Sequence, residues 1–276
     1  LEFRRVLFRS REEFIYNQKP SGYYEKSAIR KRPGTVGICA ALMNRYKIEA
    51  VPHLICGGFT KEDTENALID LHFLQIKNVL ALRGDARKFD EKFIPEPGGH
   101  DNALDLVKQI DGLNHGIYQD SNIENGSPMD FCIGVAGYPE KHFEAPSLKS
   151  DMRFTKKKIE AGADYIVTQM FFDNAKFFNY AEQCKKEGID VPIVPGIKPL
   201  TKKYQLNSIP RNFYIDLPYE LVRAIQKAKT DEAVIEVGIE WCVEQSRELK
   251  KAGVPCIHYY TMGDSDVVRR IVSQIQ

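Results

Sequence analysis

The stretch Asn78 to Asp85, NVLALRGD, constrains the fold of this chain more than any other. An apolar run of strand length stops at a cation, a glycine and a carboxylate. Polar chemistry at the C-terminal end of a buried strand is the habit of parallel α/β folds. The same succession recurs along the chain. Runs at 50–55, 78–82, 131–138, 164–169, 191–197 and 256–260 read as strands. They end in His53, Arg83 with Asp85, Tyr138, Gln169, Lys198, and Tyr260 with Thr261.

Amphipathic segments fill the gaps. A helix is expected over 33–46, with Pro33 suited to its first turn. Another spans 60–74, opened by Thr60-Lys61-Glu62-Asp63, a capping box with Asp in place of Glu. Residues 86–100 read as a long loop and 101–113 as a helix. Helices follow at 148–161 and 175–187, ended by Gly162 and Gly188. Segments near 204–209, 218–228, 231–252 (closed by Gly253) and 265–275 are helical as well.

Strands alternating with helices imply βαβ units and a parallel sheet. A doubly wound sheet would gather function at one switch point. Polar residues at every strand end suit a barrel better, because its βα loops ring one mouth. The chain has 276 residues, close to the roughly 250 that a (βα)8 barrel uses. Only six strands can be read, so the expected architecture is an α/β TIM barrel lacking its first two strands and the helix between them. The arginine-rich opening LEFRRVLFRS joins no following periodicity and reads as a non-native leader over 1–10. Residues 11–276 then form one barrel domain, incomplete at its N-terminus.

Charge is balanced, with 39 Lys and Arg against 38 Asp and Glu, so neither nucleic acid nor an acidic membrane is an expected partner. No apolar run approaches the ~20 residues that cross a bilayer. The six cysteines form no C-x-x-C pair, and several lie in apolar runs. They read as reduced, packed thiols in a cytoplasmic protein, with no zinc or dithiol site. No G-x-G-x-x-G follows a strand, and no P-loop, H-E-x-x-H or G-x-S-x-G occurs. No metal is expected, and the chemistry falls to the strand ends.

Six segments together resemble methylenetetrahydrofolate reductase of the bacterial single-domain type. They are VPHLIC (51–56), ALRGD (81–85), GYPEKHFEA (137–145), AGADYIVTQMFFDN (161–174), VPIVPGIKPL (191–200) and GVPCIHYYTM (253–262). They run in family order and cover nearly all of the chain after the leader. The resemblance implies a flavin-binding (βα)8 barrel carrying FAD. Such an enzyme reduces 5,10-methylenetetrahydrofolate to 5-methyltetrahydrofolate with NADH or NADPH, feeding methionine synthesis. It also implies a homo-oligomer when intact.

By resemblance Asp85 is the catalytic carboxylate near the pyrimidine edge of the flavin, where it would stabilise the cationic form of the folate. His53, Arg83, Gly84, Asp85 and Ala103 would line the cofactor. Tyr138, His142, Ala145, Asp151, Lys157 and Lys158 would hold its ribityl, phosphate and adenine parts. Gln169, Gln205 and Tyr260 would bind substrate. The amide of Gln169 both donates and accepts, so it could serve folate and nicotinamide in turn.

Plainer roles stand beside these. Asp85 could cap a helix or pair with Arg83. A lone His is usually a packing residue, and Lys156–Lys158 could be a solvated helix face. Phe171 reads as core, whereas Phe172 and Tyr260 could be core or slot walls. The family's first-strand glutamate, its proton donor, has no counterpart, and Glu2 is no substitute; the threonine-bearing second strand is absent too. Asp264 stands where a related enzyme type carries a basic residue. Turnover of this chain is thereby in question. The competing readings are a flavin- or pterin-binding remnant without turnover and another flavin barrel such as proline dehydrogenase. Gln169 and the TQMFFD segment argue against the latter.

Overall fold

The computed structural model of the chain describes residues 13–20, 22, 24–29, 33–86 and 92–275. The expected leader, with Glu2, and residues 87–91 of the long loop lie outside them. The described residues fall into two compact units, one within Leu1–Val135 with Ala161–Ala163 and one within Ala136–Glu160 with Asp164–Gln276.

The first unit opens on an antiparallel hairpin, β1 (Glu13–Gln18) and β2 (Tyr24–Ile29), in register from Glu13 opposite Ile29 to Gln18 opposite Tyr24. The sequence reading had no element here. The turn signal is nonetheless in the chain: Pro20 precedes Gly22, whose φ is +82°, and the Gly22 N–H donates to the Lys19 carbonyl.

Parallel strands follow, alternating with helices. Helix α1 spans Thr35–Tyr46, two residues past Pro33, because extended Gly34 takes the cap position. Strand β3 is His53–Ile55, and α2 is Lys61–Phe73. The expected capping box forms at α2. Thr60 Oγ1 accepts from the Asp63 N–H at 3.0 Å, and Asp63 Oδ2 accepts from the Thr60 N–H at 2.9 Å. Strand β4 is Asn78–Leu82, as read, with Val79, Leu80 and Ala81 buried. Helix α3 (Ala103–Asn114) starts behind Asn102, whose side chain accepts from the Asp105 N–H. Strand β5 (Cys132–Gly137) pairs in parallel with β4 up to Val135, as β4 pairs with β3.

His53 calls for a correction. It was expected to end its strand and instead opens it. Pro52 has no N–H to give a ladder, although its carbonyl still accepts from the Leu80 N–H. Side chains alternate along a strand, so His53 shares a face with Ile55 rather than standing at the tip.

In the second unit α4 (Leu148–Glu160) precedes β6 (Tyr165–Met170), and α5 (Asn174–Lys186) leads to β7 (Ile193–Ile197). Then come α6 (Gln205–Phe213), α7 (Tyr219–Lys227), α8 (Asp231–Lys251), β8 (His258–Tyr259) and α9 (Ser265–Ile275). Strand β7 pairs in parallel with β6 on one side and β8 on the other. Met170, Phe172, Leu200, Ile209, Leu221 and Ile225 form one core cluster. Phe171, Phe177, Ile197 and Leu249 form another. Both Phe171 and Phe172 are therefore core.

Within each unit the parallel strands are laid side by side in chain order. That is the order of a barrel wall; a doubly wound sheet reverses at a switch point. The fold is α/β of the TIM-barrel type, with six parallel strands among the described residues. All six cysteines are free thiols, four of them buried.

Candidate functional site

In the first unit the candidates sit where β4 ends. The Cys56 N–H donates to the carbonyls of Leu82 and Arg83, at 3.2 and 3.1 Å, tying the ends of β3 and β4 together. Burial pushes the Cys56 thiol up to about 12, so it stays protonated and unreactive. Gly84 turns the chain with φ +87°, a conformation L side chains rarely adopt. A Cβ there would meet only the Ile55 side chain, at 3.4 Å, which is ordinary contact. Backbone conformation, not crowding, therefore calls for glycine. The turn leaves Asp85 exposed. The Arg83 guanidinium lies over the Phe93 ring at 5.3 Å. Ala103 is the first residue of α3, directly behind its Asn102 cap.

In the second unit the candidates are held by side-chain networks. Tyr138 follows β5 and meets His142 edge to face at 4.7 Å. His142 stacks on Phe143, which stacks on Tyr214. Asp151 is buried in α4, and its Oδ2 accepts the His142 N–H at 2.9 Å. Ala145 donates its N–H back to the His142 carbonyl, and the Lys141 ammonium donates to the Ala145 carbonyl at 2.7 Å. The loop is thus clamped around its own backbone.

The two lysines of α4 divide. Lys157 is exposed, whereas Lys158 is buried and donates to the Ala136 carbonyl at 2.7 Å. Burial lowers the Lys158 ammonium to about 8, with Asp151 pulling the other way. Of the two, only Lys157 has its ammonium end on a solvent-exposed side chain.

Gln169 lies one residue before the end of β6, and its Oε1 accepts from the Met170 N–H at 3.0 Å. Its NH2 group has no hydrogen-bond partner among the described residues. Gln205 opens α6 with its Oε1 accepting from the N–H groups of Thr201 and Lys202, at 2.7 and 3.0 Å. Tyr260 stands one residue past β8. Its N–H donates to the Ile197 carbonyl at 2.9 Å and its hydroxyl to the Thr168 carbonyl at 2.8 Å. Gly196 makes room for this ring, since a Cβ there would fall 2.7 Å from it. A cavity of about 220 Å³ adjoins Gln205, lined also by Lys198, Thr201, Tyr204, Thr261 and Asp264.

Three groups escaped the sequence reading. Glu140, inside GYPEKHFEA, is buried at its carboxylate, which accepts from the Asp216 N–H at 3.2 Å; burial raises its pKa above the usual range. His258 is lowered to about 4 by burial. Lys198 was noted only as a polar strand end, yet it is buried. Burial depends on which helices close over a position, and strand periodicity does not carry that information.

A family model for methylenetetrahydrofolate reductase matches residues 23–276. This chain belongs to the methylenetetrahydrofolate reductase family. Methylenetetrahydrofolate reductase (NADH) 1 of Arabidopsis thaliana is 36% identical over 238 residues, covering 83% of this chain and 38% of that protein. A probable methylenetetrahydrofolate reductase (NADPH) of Caenorhabditis elegans is 30% identical over 249 residues, covering 90% of this chain and 35% of that one. The 5,10-methylenetetrahydrofolate reductase of Pectobacterium carotovorum subsp. carotovorum is 30% identical over 240 residues, covering 86% of this chain and 73% of that one. The chain therefore spans little more than a third of the length of the plant and nematode family members. Among the described residues, no helix is long and apolar enough to cross a membrane.

Proposed function

We propose that this chain is a flavin-dependent reductase domain that converts 5,10-methylenetetrahydrofolate to 5-methyltetrahydrofolate with NADH or NADPH, a step that supplies methionine synthesis. FAD held by these residues would supply the hydride relay between nicotinamide and folate. The feature that carries this reading is the β4 corner: a left-handed glycine holding an exposed carboxylate at the end of a buried parallel strand, inside the family's ALRGD segment.

The residues fit the cofactor. Gly84 and the exposed corner give a flavin edge close backbone approach. Arg83 offers a guanidinium to its oxygens. His53 and Ala103 would complete that wall. Tyr138, His142 and Ala145 would form the surface for the ribityl and adenine parts. Lys157 would meet the diphosphate and Asp151 a ribose hydroxyl, while Lys158 would act by fixing α4 to the end of β5.

Asp85 would stabilise the cationic, activated folate electrostatically. The amide of Gln169 would hold folate and nicotinamide in turn, each donating to or accepting from it as the other leaves. Gln205 and Tyr260 would bound the folate. Any folded assembly of the domain is expected to be a homo-oligomer.

The test is a visible spectrum of the purified protein after reconstitution with FAD, followed by an assay for NAD(P)H-dependent 5-methyltetrahydrofolate. Flavin bands and product support the reading. Bands without product would leave a flavin-binding protein without turnover, and a colourless folded protein would overturn the reading.

A further inference from the structure

Lys198 immediately follows β7 and is 7% exposed. It lines the cavity of about 220 Å³ beside Gln205. No hydrogen bond or ion pair closer than 4 Å holds its ammonium among the described residues. A buried lysine without a partner is costly, and proteins usually pair or neutralise one.

Its charged neighbours do not supply the pair. The Cys242 thiol is pushed up to about 12 by burial, so it brings no negative charge. Asp264 is exposed and attracts Lys198 only at longer range; its Oδ1 accepts the Val267 N–H at 3.3 Å, at the start of α9. Lys202, also on the cavity wall, is exposed and paired with Asp231 at 2.7 Å. Gln205 uses its Oε1 on backbone N–H groups, which orients its NH2 as a second donor without a partner among the described residues. Lys198 and the Gln205 amide thus give one solvent-open cavity two donors without a protein partner among the described residues, one of them charged.

We propose that Lys198 is the carboxylate-recognising residue of this cavity, and that the carboxylate it reads is the glutamate end of the folate. This rests on the reductase reading and adds a specificity determinant to it. A charge-assisted bond to a largely buried side chain is worth more than one in open water. Ligands bearing the glutamate should therefore be selected over otherwise identical ligands without it.

Calorimetric titration of the FAD-loaded protein with 5-methyltetrahydrofolate, and with its analogue lacking the glutamate, tests this in wild type, Lys198→Met and Lys198→Arg. Wild type should prefer the glutamate-bearing ligand at least tenfold. Lys198→Met should lose most of that preference and leave the affinity for the shorter ligand within about twofold. Lys198→Arg should retain much of it. Thermal stability of the unliganded Lys198→Met protein should be equal or higher, since an unpaired buried charge is removed. If both ligands bind and Lys198→Met keeps the full preference, Lys198 does not read the carboxylate and the inference fails alone. If neither ligand binds wild-type protein, the reductase reading fails and takes the inference with it.

Discussion

The corner after β4 and the loops around α4 and α6 place candidate residues by different means. At the corner, one backbone conformation does the placing: Gly84 at φ +87° presents Asp85 to solvent. In the second unit, buried polar side chains do it. Asp151 holds the His142 N–H, Lys158 holds the Ala136 carbonyl, Gln205 holds two N–H groups and Tyr260 holds the Thr168 carbonyl. A residue set by backbone can change its chemistry without disturbing the fold. A residue that is itself a strut cannot.

The largest expected effect separates the two regions by rate. Asp85→Asn keeps shape and exposure, so stability should move by less than ~0.5 kcal/mol. Folate reduction should fall about 100- to 1,000-fold, the ordinary worth of one preorganised electrostatic contact, with nicotinamide oxidation falling much less. Half-reaction kinetics read this directly, and equal losses in both halves would make Asp85 an organiser of the site instead.

Lys158→Met should do the reverse. It removes a charged donor from a buried carbonyl, at about 1–3 kcal/mol, partly offset by relief of the lysine's own desolvation. Urea unfolding should show a lower midpoint with unchanged slope. An unchanged midpoint would mean that the α4 strut adds nothing and that the two regions are held alike.

The pH dependence of stability sharpens the comparison. The His258 ring, edge-on to Tyr260 at 4.5 Å, has its pKa depressed from 6.5 to about 4 by burial. As pH falls through 6.5 the unfolded chain takes up a proton that the folded ring refuses until about 4. Stability should therefore fall between pH 6.5 and 4, by roughly 1–3 kcal/mol in all. His258→Phe should flatten that window, and a slope that survives the substitution would assign it to other groups. Smallest is Tyr260→Phe, which removes one hydroxyl bond to Thr168 and should cost about 1 kcal/mol. No change in unfolding midpoint would show that the carbonyl finds another donor.

What could be read in the sequence follows the same division. The capping box at Thr60 and Asp63, the glycines ending α4 and α5, and NVLAL followed by Arg83-Gly84-Asp85 are local, and each formed as read. The struts join residues far apart in the chain, such as Tyr260 to Thr168 and Lys158 to Ala136, and no local pattern marks them. The burial of Lys198 and Glu140 was hidden for the same reason. The β1–β2 hairpin is a different case: its Pro20 and Gly22 turn is local, but an antiparallel pair falls outside the βαβ alternation that marks the other strands.

In the proposed reaction one protein surface serves two substrates in alternation, with Gln169 touching each. Initial rates measured across a grid of nicotinamide and methylenetetrahydrofolate concentrations test that most directly. Parallel lines in the double-reciprocal plot are predicted, with Gln169→Ala slowing both half-reactions. Lines that intersect would mean that both substrates are bound together, and the alternating use of Gln169 would be wrong.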